Sequence, residues 1–540
     1  MHNIWSFLTS RTKKQKRVIG IFLLIFFLGI FLRTYHFHDW LMIREDQSRD
    51  ASLVSRIVQG GEKWPLIGPF MSYSGEGAHS EENAFHIGPI YYYFQILSAK
   101  VFGDYPDKLA YPDVFFGILT IPLLFFFLRN YFTRSISLGV TSLFAFSAYF
   151  VQYARFAWNT NLIPFFVLLF LFSLHRLLGK SEKDRWVPAL VFGFSFGVGI
   201  QLHVITMAIF FITSFCVVLF LLKNQSLRWK EWTLIFLLVC FLNTAQIVSE
   251  LQTNFSNTKT LLISTSKNNP RSLGTLVRND LNCHMEAYAY FLSSYGGNRC
   301  AYNLFDISTY RINKNPLESV VSLVTLIFSL FGSLFLFRYV RDEKEREKKY
   351  FLYLVIVYTS IAFFVMLPLS RSHLSDFRYF TSTFFVPFLF LGFLLQCITR
   401  RFPGMIRGIF IFGIFLFPLY FSHYQVLYGQ FSSLQLKKQT CASHFTTLGE
   451  LEPVASYIAG NTTGFKEVYV RGDKDLHVIF FPMQYLLGKY GIQAIEMKST
   501  LEVPDKSVPA YLISCRVGWR SQYPYQSIDR FSIFQINSER

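Results

Sequence analysis

The feature that most constrains this chain is a series of continuously apolar blocks, each close to the roughly 20 residues that a helix needs to cross a bilayer. The first runs from Val18 to Tyr35 and the second from Ala110 to Leu128. Lipid offers no partners to backbone N–H and C=O groups, so such blocks must satisfy themselves as helices. Their continuous apolarity, as against alternation, excludes a membrane β-barrel. Composition agrees: 52% of the 540 residues are hydrophobic and 16% charged, whereas a soluble domain keeps about a quarter charged. A net charge of +18 would suit nucleic acid, but the basic residues flank apolar spans. That placement reads as topology signal and lipid contact, and no nucleic-acid partner is expected. The first block lacks a small-residue cleavage site and is followed by further spans, so it reads as a signal anchor.

Eleven spans are predicted: Val18–Tyr35, Ala110–Leu128, Ile136–Ala154, Leu162–Leu178, Val187–Val204, Ile205–Leu222, Thr233–Leu251, Leu317–Tyr339, Tyr350–Leu369, Tyr379–Ile398 and Met405–Gln425. The fifth and sixth form one run, split at Gln201 and His203 because a single helix of that length would overshoot a bilayer. With the amino terminus in the cytoplasm, the inner segments hold Arg11 to Arg17, Arg129, Arg134, Arg176 to Arg185, Lys223 to Lys230, Arg338 to Lys349 and the pair Arg400 and Arg401. The short outer loops hold only Arg155, Arg371 and Arg378. This alternation obeys the positive-inside rule. The expected location is the plasma or inner membrane of the cell, with the carboxyl end outside.

The expected organisation is a basic tail at 1–17, a membrane module at 18–425, a linker at 426–447 and an extracytoplasmic α/β domain at 448–540. The module carries two long outer loops, 36–109 and 252–316, and long loops are usually functional. In the first, Gln47–Val58 and the aromatic run Pro89–Phe94 are too polar or too short to span and read as interfacial helices. Tyr91–Tyr93 read as an aromatic anchor at the interface. In the tail, helices at Leu451–Ala459 and Leu476–Leu487 alternate with strands at Glu467–Arg471, Ala510–Cys515 and Phe531–Ile536, which favours a layered α/β unit. The chain contains no Walker A sequence, and the tail shows no Gly-rich phosphate loop.

Directly after the first span, Arg44-Glu-Asp-Gln-Ser-Arg-Asp50 sets Glu45, Asp46 and Asp50 at the outer surface. Asp46 and Asp50 are four apart and share a helix face. Acids at a helix start also suit its dipole, but a carboxylate here can equally serve as a base toward an attacking hydroxyl. Asp46-Gln with Arg49-Asp50, Gly60-Gly61, Leu66-Ile-Gly-Pro69 and Gly88-Pro-Ile-Tyr-Tyr-Tyr93 together resemble the first outer loop of the family 39 glycosyltransferases. That group includes protein O-mannosyltransferases, lipid A aminoarabinose transferases and bacterial relatives of unknown acceptor. Tyr153-Ala-Arg-Phe-Ala-Trp-Asn-Thr-Asn161 resembles their segment between the third and fourth spans, and Arg378-Tyr379 with Pro387 their late span. The resemblance covers roughly residues 18–400.

The resemblance implies an α-helical polytopic membrane protein of the GT-C fold, with about 11 membrane helices, outer-loop interfacial helices and a small C-terminal α/β domain. It implies an inverting enzyme that moves a hexosyl or pentosyl group from a polyprenyl-phosphate carrier to a protein, lipid or glycan acceptor at the outer face. Asp46 matches the family's catalytic acid; its partner here is Gln47, so a second carboxylate would come from Glu45 or Asp50. Asn161 stands where many relatives have Asp. Substrate or phosphate contacts are expected from Arg155, Asn159, Asn161, His203, Arg371, Arg378 and His86, the arginines because a guanidinium forks onto phosphate. Snorkelling anchors are the plainer account of those arginines. A divalent metal stays open on His79, Glu81, Glu82 and His86, whose spacing matches no closed site. Cys283 and Cys300 share an outer loop and are a disulfide candidate, while Cys216, Cys240 and Cys397 fall in spans as small apolar residues. A flippase of lipid-linked glycans or a non-catalytic scaffold competes with the enzyme. A transporter, however, would show paired halves, broken helices and ionisable residues near mid-span, and here the ionisable residues gather at the outer ends.

Overall fold

The computed structural model describes residues 13–71, 84–179, 185–224, 228–266, 272–294, 331–368, 376–402, 416–435, 446–497, 507–515 and 523–536, with a few single positions such as Cys300. Among these, five helices are long and apolar enough to cross a membrane, or seven if each of two bent helix pairs counts as one span. Most predicted spans coincide with helices: Lys13–Thr34, Tyr111–Arg129, Ile163–Leu178, Trp186–Gly199, Val204–Lys223 and Arg346–Met366. The long run does break between Gly199 and Val204, at Gln201 and His203. Of Leu317–Tyr339 the described part is helical from residue 331, and Met405–Gln425 is represented by Phe417–Gln435. The rest of those two predicted spans lies outside the described residues.

Three spans are not straight rods. The third stops at Ser147, which turns extended and splits it into Arg134–Phe146 and Ala148–Tyr153. The span from Trp229 bends by 63° at Asn243 into Thr244–Gln252. The late span opens as a tight helical turn, Phe377–Thr383, before bending by 54° into Phe385–Arg401. The first helix shows how lipid and bundle divide one cylinder: Leu24, Phe27 and Phe31 are exposed, while Phe22, Ile25 and Arg33 are buried. An apolar side chain facing outward has no water to avoid in lipid, so the exposed row needs no partner.

In the C-terminal unit, helix Leu448–Asn461 is opened by a capping box between Thr447 and Glu450, which satisfies two orphan N–H groups at once. Strands β1, Phe70–Met71, and β2, Phe85–His86, pair in the first outer loop, whereas β3 at Glu467–Gly472, β4 at Gln493–Glu496, β5 at Ala510–Ser514, β6 at Tyr525–Ile528 and β7 at Phe531–Gln535 form the sheet of this unit, in the order β4-β3-β5-β7-β6. Strand β3 runs parallel to β4 and β5, and β7 antiparallel to β5 and β6. The central strand β5 is buried throughout, as its uninterrupted Ala-Tyr-Leu-Ile run requires.

This unit shares a core with the first outer loop. Leu41, Ile43, Val54, Ile57, Tyr92 and Ile96 of the loop form one cluster with Leu451, Val454, Met483, Leu486, Tyr511 and Ile533 of the unit. Backbone bonds join them as well, Ile43 N to Thr446 O at 3.1 Å and Leu448 N to Leu41 O at 2.9 Å. Lys489 Nζ reaches Asp104 Oδ2 at 2.7 Å, and Tyr485 donates to the Asp104 carbonyl at 2.6 Å. The helices Glu45–Val58 and Ile90–Phe102 are thus clamped against the C-terminal unit. Tyr91 and Tyr92 are fully buried, which corrects their reading as interface anchors: both rings pack inward and their hydroxyls meet carboxylates.

His38 makes the polar part of that clamp. Its Nδ1 lies 3.2 Å from Asp107 Oδ2 and its Nε2 3.2 Å from Glu452 Oε2. Lys108 also reaches Asp107 at 2.8 Å, and Tyr105 donates to Glu452 at 2.6 Å. Partial burial opposes the imidazolium, but Glu452 and Asp107 outweigh it and raise the pKa above the usual value. A raised folded-state pKa means the contribution is fully present below about pH 6.5 and is lost as pH rises through the folded value. We therefore expect hydrogen exchange in Leu448–Asn461, corrected for intrinsic rates, to be slower at pH 6 than at pH 8. His38→Gln should remove the difference; an unchanged difference would show that the clamp does not act through this imidazole.

Candidate functional site

The outer helix begins at Glu45, so the acidic segment forms its first turns. Glu45 is exposed. Asp46, with a side chain 44% exposed, keeps an open face and accepts from Arg49 Nη1 at 3.2 Å. Asp50 is buried, accepting from Arg49 Nη2 at 2.8 Å and from Tyr92 at 3.1 Å. Burial pushes the Asp50 carboxyl up, against the pull of Arg49. Asp50 is therefore spent on holding Arg49, which in turn steadies Asp46. Gln47 pins the helix from below by donating to the Ala157 carbonyl at 3.1 Å.

Across from this turn sits Arg378. Its guanidinium carbon lies 4.5 Å from the centroid of the Trp158 ring and 5.0 Å from that of Tyr379. Asp376 caps the turn by accepting from Arg378 N at 3.0 Å. Arg378 Nε has no partner among the described residues. Charge interaction links Arg378 to Asp376, Asp46 and His203. Asp46, Arg378 and His203 thus converge from three distant parts of the sequence. Arg371 lies outside the described residues.

Asp113 holds the floor together. It is fully buried in the first turn of Tyr111–Arg129. One oxygen accepts from Trp158 N at 3.0 Å and Asn161 Nδ2 at 3.1 Å, the other from the Tyr91 hydroxyl at 3.0 Å. Trp158 is the seat of Arg378, so Asp113 positions that arginine at one remove. An acid inside an apolar block is the signal that could have found it, since intramembrane ionisable residues are functional candidates by default.

Several predicted contacts turn out to have other occupations. Arg155 is buried and donates to Leu32 O at 3.0 Å, Tyr35 O at 2.7 Å and His36 O at 3.3 Å. Three of its five N–H donors are thus committed to carbonyls at the end of the first helix. His86 is clamped through its backbone, with N to Asn257 Oδ1 at 2.7 Å and Asn257 Nδ2 to its O at 2.8 Å. Asn159 donates to the Leu202 carbonyl, and His203 Nδ1 accepts from Ile205 N at 3.2 Å, capping the next helix. At Gly88 a Cβ would lie 2.4 Å from Gln201, whose Oε1 accepts from Ile90 N at 3.3 Å; only glycine lets these segments meet. Cys283 and Cys300 are disulfide-bonded with Cα atoms 5.2 Å apart. His79, Glu81 and Glu82 lie outside the described residues, among which no three His, Cys, Asp or Glu gather to hold a metal.

Residues 86–248 match the family model of dolichyl-phosphate-mannose-protein mannosyltransferases, a stretch that contains Asp113, Trp158, Asn161 and His203. The structure is similar to that of the oligosaccharyltransferase AglB from Archaeoglobus fulgidus, solved with an inhibitory peptide and a dolichol-phosphate. The TM-score is 0.54 at 12% identity, covering 93% of this chain and 69% of that one. The chain has the GT-C glycosyltransferase fold. ArnT from Cupriavidus metallidurans, bound to undecaprenyl phosphate, aligns over 98% of both chains with a TM-score of 0.48 at 12% identity. No curated protein matches the sequence. Within the GT-C fold, the outer helix and the Trp158 loop form one continuous floor.

Asp113 gives a test of that floor. Asp113→Ala should orphan three buried donors, each at a cost of about 1–3 kcal/mol. Asp113→Asn can keep its oxygen toward Trp158 N and Asn161, while the Tyr91 hydroxyl turns to accept. Thermal unfolding in detergent should therefore show a large loss for Ala and a small one for Asn. Equal losses would mean that the carboxylate's charge, and not its hydrogen bonds, secures the loop.

Proposed function

We propose that this protein is a glycosyltransferase that takes a sugar from a polyprenyl-phosphate carrier and passes it to an acceptor hydroxyl at the outer membrane face. The observation that carries this reading is the charge interaction between an open carboxylate, Asp46, and a guanidinium seated on an aromatic floor, Arg378. The GT-C fold and the match to a mannosyltransferase family support it. In the reaction, the acceptor oxygen attacks the anomeric carbon from the face opposite the carrier, and its proton passes to Asp46. The bond from that carbon to the phosphate oxygen breaks, leaving polyprenyl phosphate and inverting the anomeric centre. Arg378 takes up charge on the departing phosphate, through the free Nε and the outer edge of its fork. Arg49 holds Asp46 in place, and Asp50, tied to Arg49 and Tyr92, is a positioning residue and not the second carboxylate.

Removal of a positioned base costs about 10²–10⁴ in rate. Asp46→Asn should lower transfer from a lipid-linked donor by that range while melting near the parent temperature; near-parent turnover would remove Asp46 from the role. For Arg378, donor-lipid affinity in detergent is the informative quantity. Arg378→Ala should weaken it, and Arg378→Lys should restore it only in part, because lysine lacks the fork. Full restoration by lysine would reduce Arg378 to a point charge, and unchanged affinity in the Ala variant would remove the phosphate contact.

A further inference from the structure

Below this site the bundle buries a second arginine that the proposed reaction does not use. Arg33, near the outer end of the first helix, is fully buried. Its Nη1 donates to Gly29 O at 3.0 Å and Ala145 O at 2.8 Å. Its Nε and Nη2 make no hydrogen bond. These two nitrogens form one edge of the guanidinium, the edge that presents parallel N–H groups to a single acceptor. Among the described residues no carboxylate pairs with Arg33. A buried cation without a counter-charge is among the most expensive arrangements a protein can hold.

Arg33 lines a cavity of about 20 Å³ whose walls are otherwise mostly apolar, with polar groups from Thr120, Tyr149, Tyr153, Thr160, Asn161 and Thr381. Thr120 spends its hydroxyl on Phe116 O at 2.7 Å, and Thr381 on Arg378 O at 2.6 Å. The buried Thr160 hydroxyl has no partner, nor does Asn161 Oδ1. The unpartnered polar atoms of the lining are therefore Nε and Nη2 of Arg33 and the hydroxyls of Thr160 and Tyr149, all able to donate, against a single neutral acceptor, Asn161 Oδ1. About 10–15 Å³ of such space holds one water, so the cavity takes a particle of about that size and not a tetrahedral phosphate. Arg378 is not among its lining residues.

We propose that this cavity is a binding site for a monovalent halide, chloride in practice, held on the Nε and Nη2 edge of Arg33 and by the Thr160 hydroxyl. The anion supplies the missing counter-charge and braces the 160–161 turn, whose Asn161 holds Asp113 from the other side. It is separate from the proposed carrier site and stands or falls without it.

The test uses the full-length protein in detergent, titrated with sodium chloride against sodium gluconate at constant ionic strength. The melting temperature should rise saturably with chloride, by about 2 °C or more. Arg33→Lys keeps the charge but loses the edge, and should shift half-saturation upward by about tenfold. Crystals soaked in bromide should show an anomalous peak on that edge. A melting temperature indifferent to halide, a response unchanged in Arg33→Lys, or an anomalous map without a peak at Arg33 overturns the proposal. If the Lys variant does not fold, the parent titration and the bromide map decide alone.

Discussion

Two segments of the chain are tied by three hydrogen bonds to one buried carboxylate, that of Asp113. Its oxygens collect the Tyr91 hydroxyl from the first outer loop, the Trp158 amide and the Asn161 side chain from the turn between the third and fourth spans. A carboxylate so deeply placed can stay only if its lone pairs are filled. The three donors do this, and in doing so they fix the Trp158 ring. Arg378 rests on that ring, so the position of a cation depends on an acid it never touches.

The second support comes from above. Because the C-terminal unit shares a hydrophobic core with the outer helices, the helix that carries Asp46 is held between the helical bundle and the C-terminal unit. Backbone bonds between Ile43 and Thr446 and between Leu41 and Leu448 prolong this contact to the start of the helix. A site held from both sides keeps its groups in place with little reorganisation, which electrostatic stabilisation of a leaving group requires. It also means that a change in docking of the C-terminal unit would be felt at Asp46.

The membrane spans were legible because continuous apolarity is a local property, and the outer carboxylates because they follow a span directly. The breaks at Ser147 and Asn243 were not. Both lie inside apolar runs, and what selects them is tertiary: Ser147 donates to Phe291 O at 3.2 Å and Asn243 Nδ2 to Gly197 O at 3.2 Å. At Arg155 the sequence counts a charge in a loop but does not show the three carbonyls that meet it. Tyr91 and Tyr92 were read as anchors for the same reason, since their partners Asp113 and Asp50 lie 22 and 42 residues away. In the tail, β5 and β7 were legible from apolar runs. Strand β4, with only Ala494 buried, and strand β6, with no residue buried, carry too weak a pattern to stand out.

The proposed placement of a carrier phosphate between Arg378 and Asp46 is measured directly by a structure of the full-length protein with bound polyprenyl phosphate. Phosphate oxygens are expected within about 3 Å of the Arg378 guanidinium, with Asp46 on the side from which an acceptor would enter. A phosphate bound away from Arg378, with the Asp46 carboxylate turned from it, would contradict it.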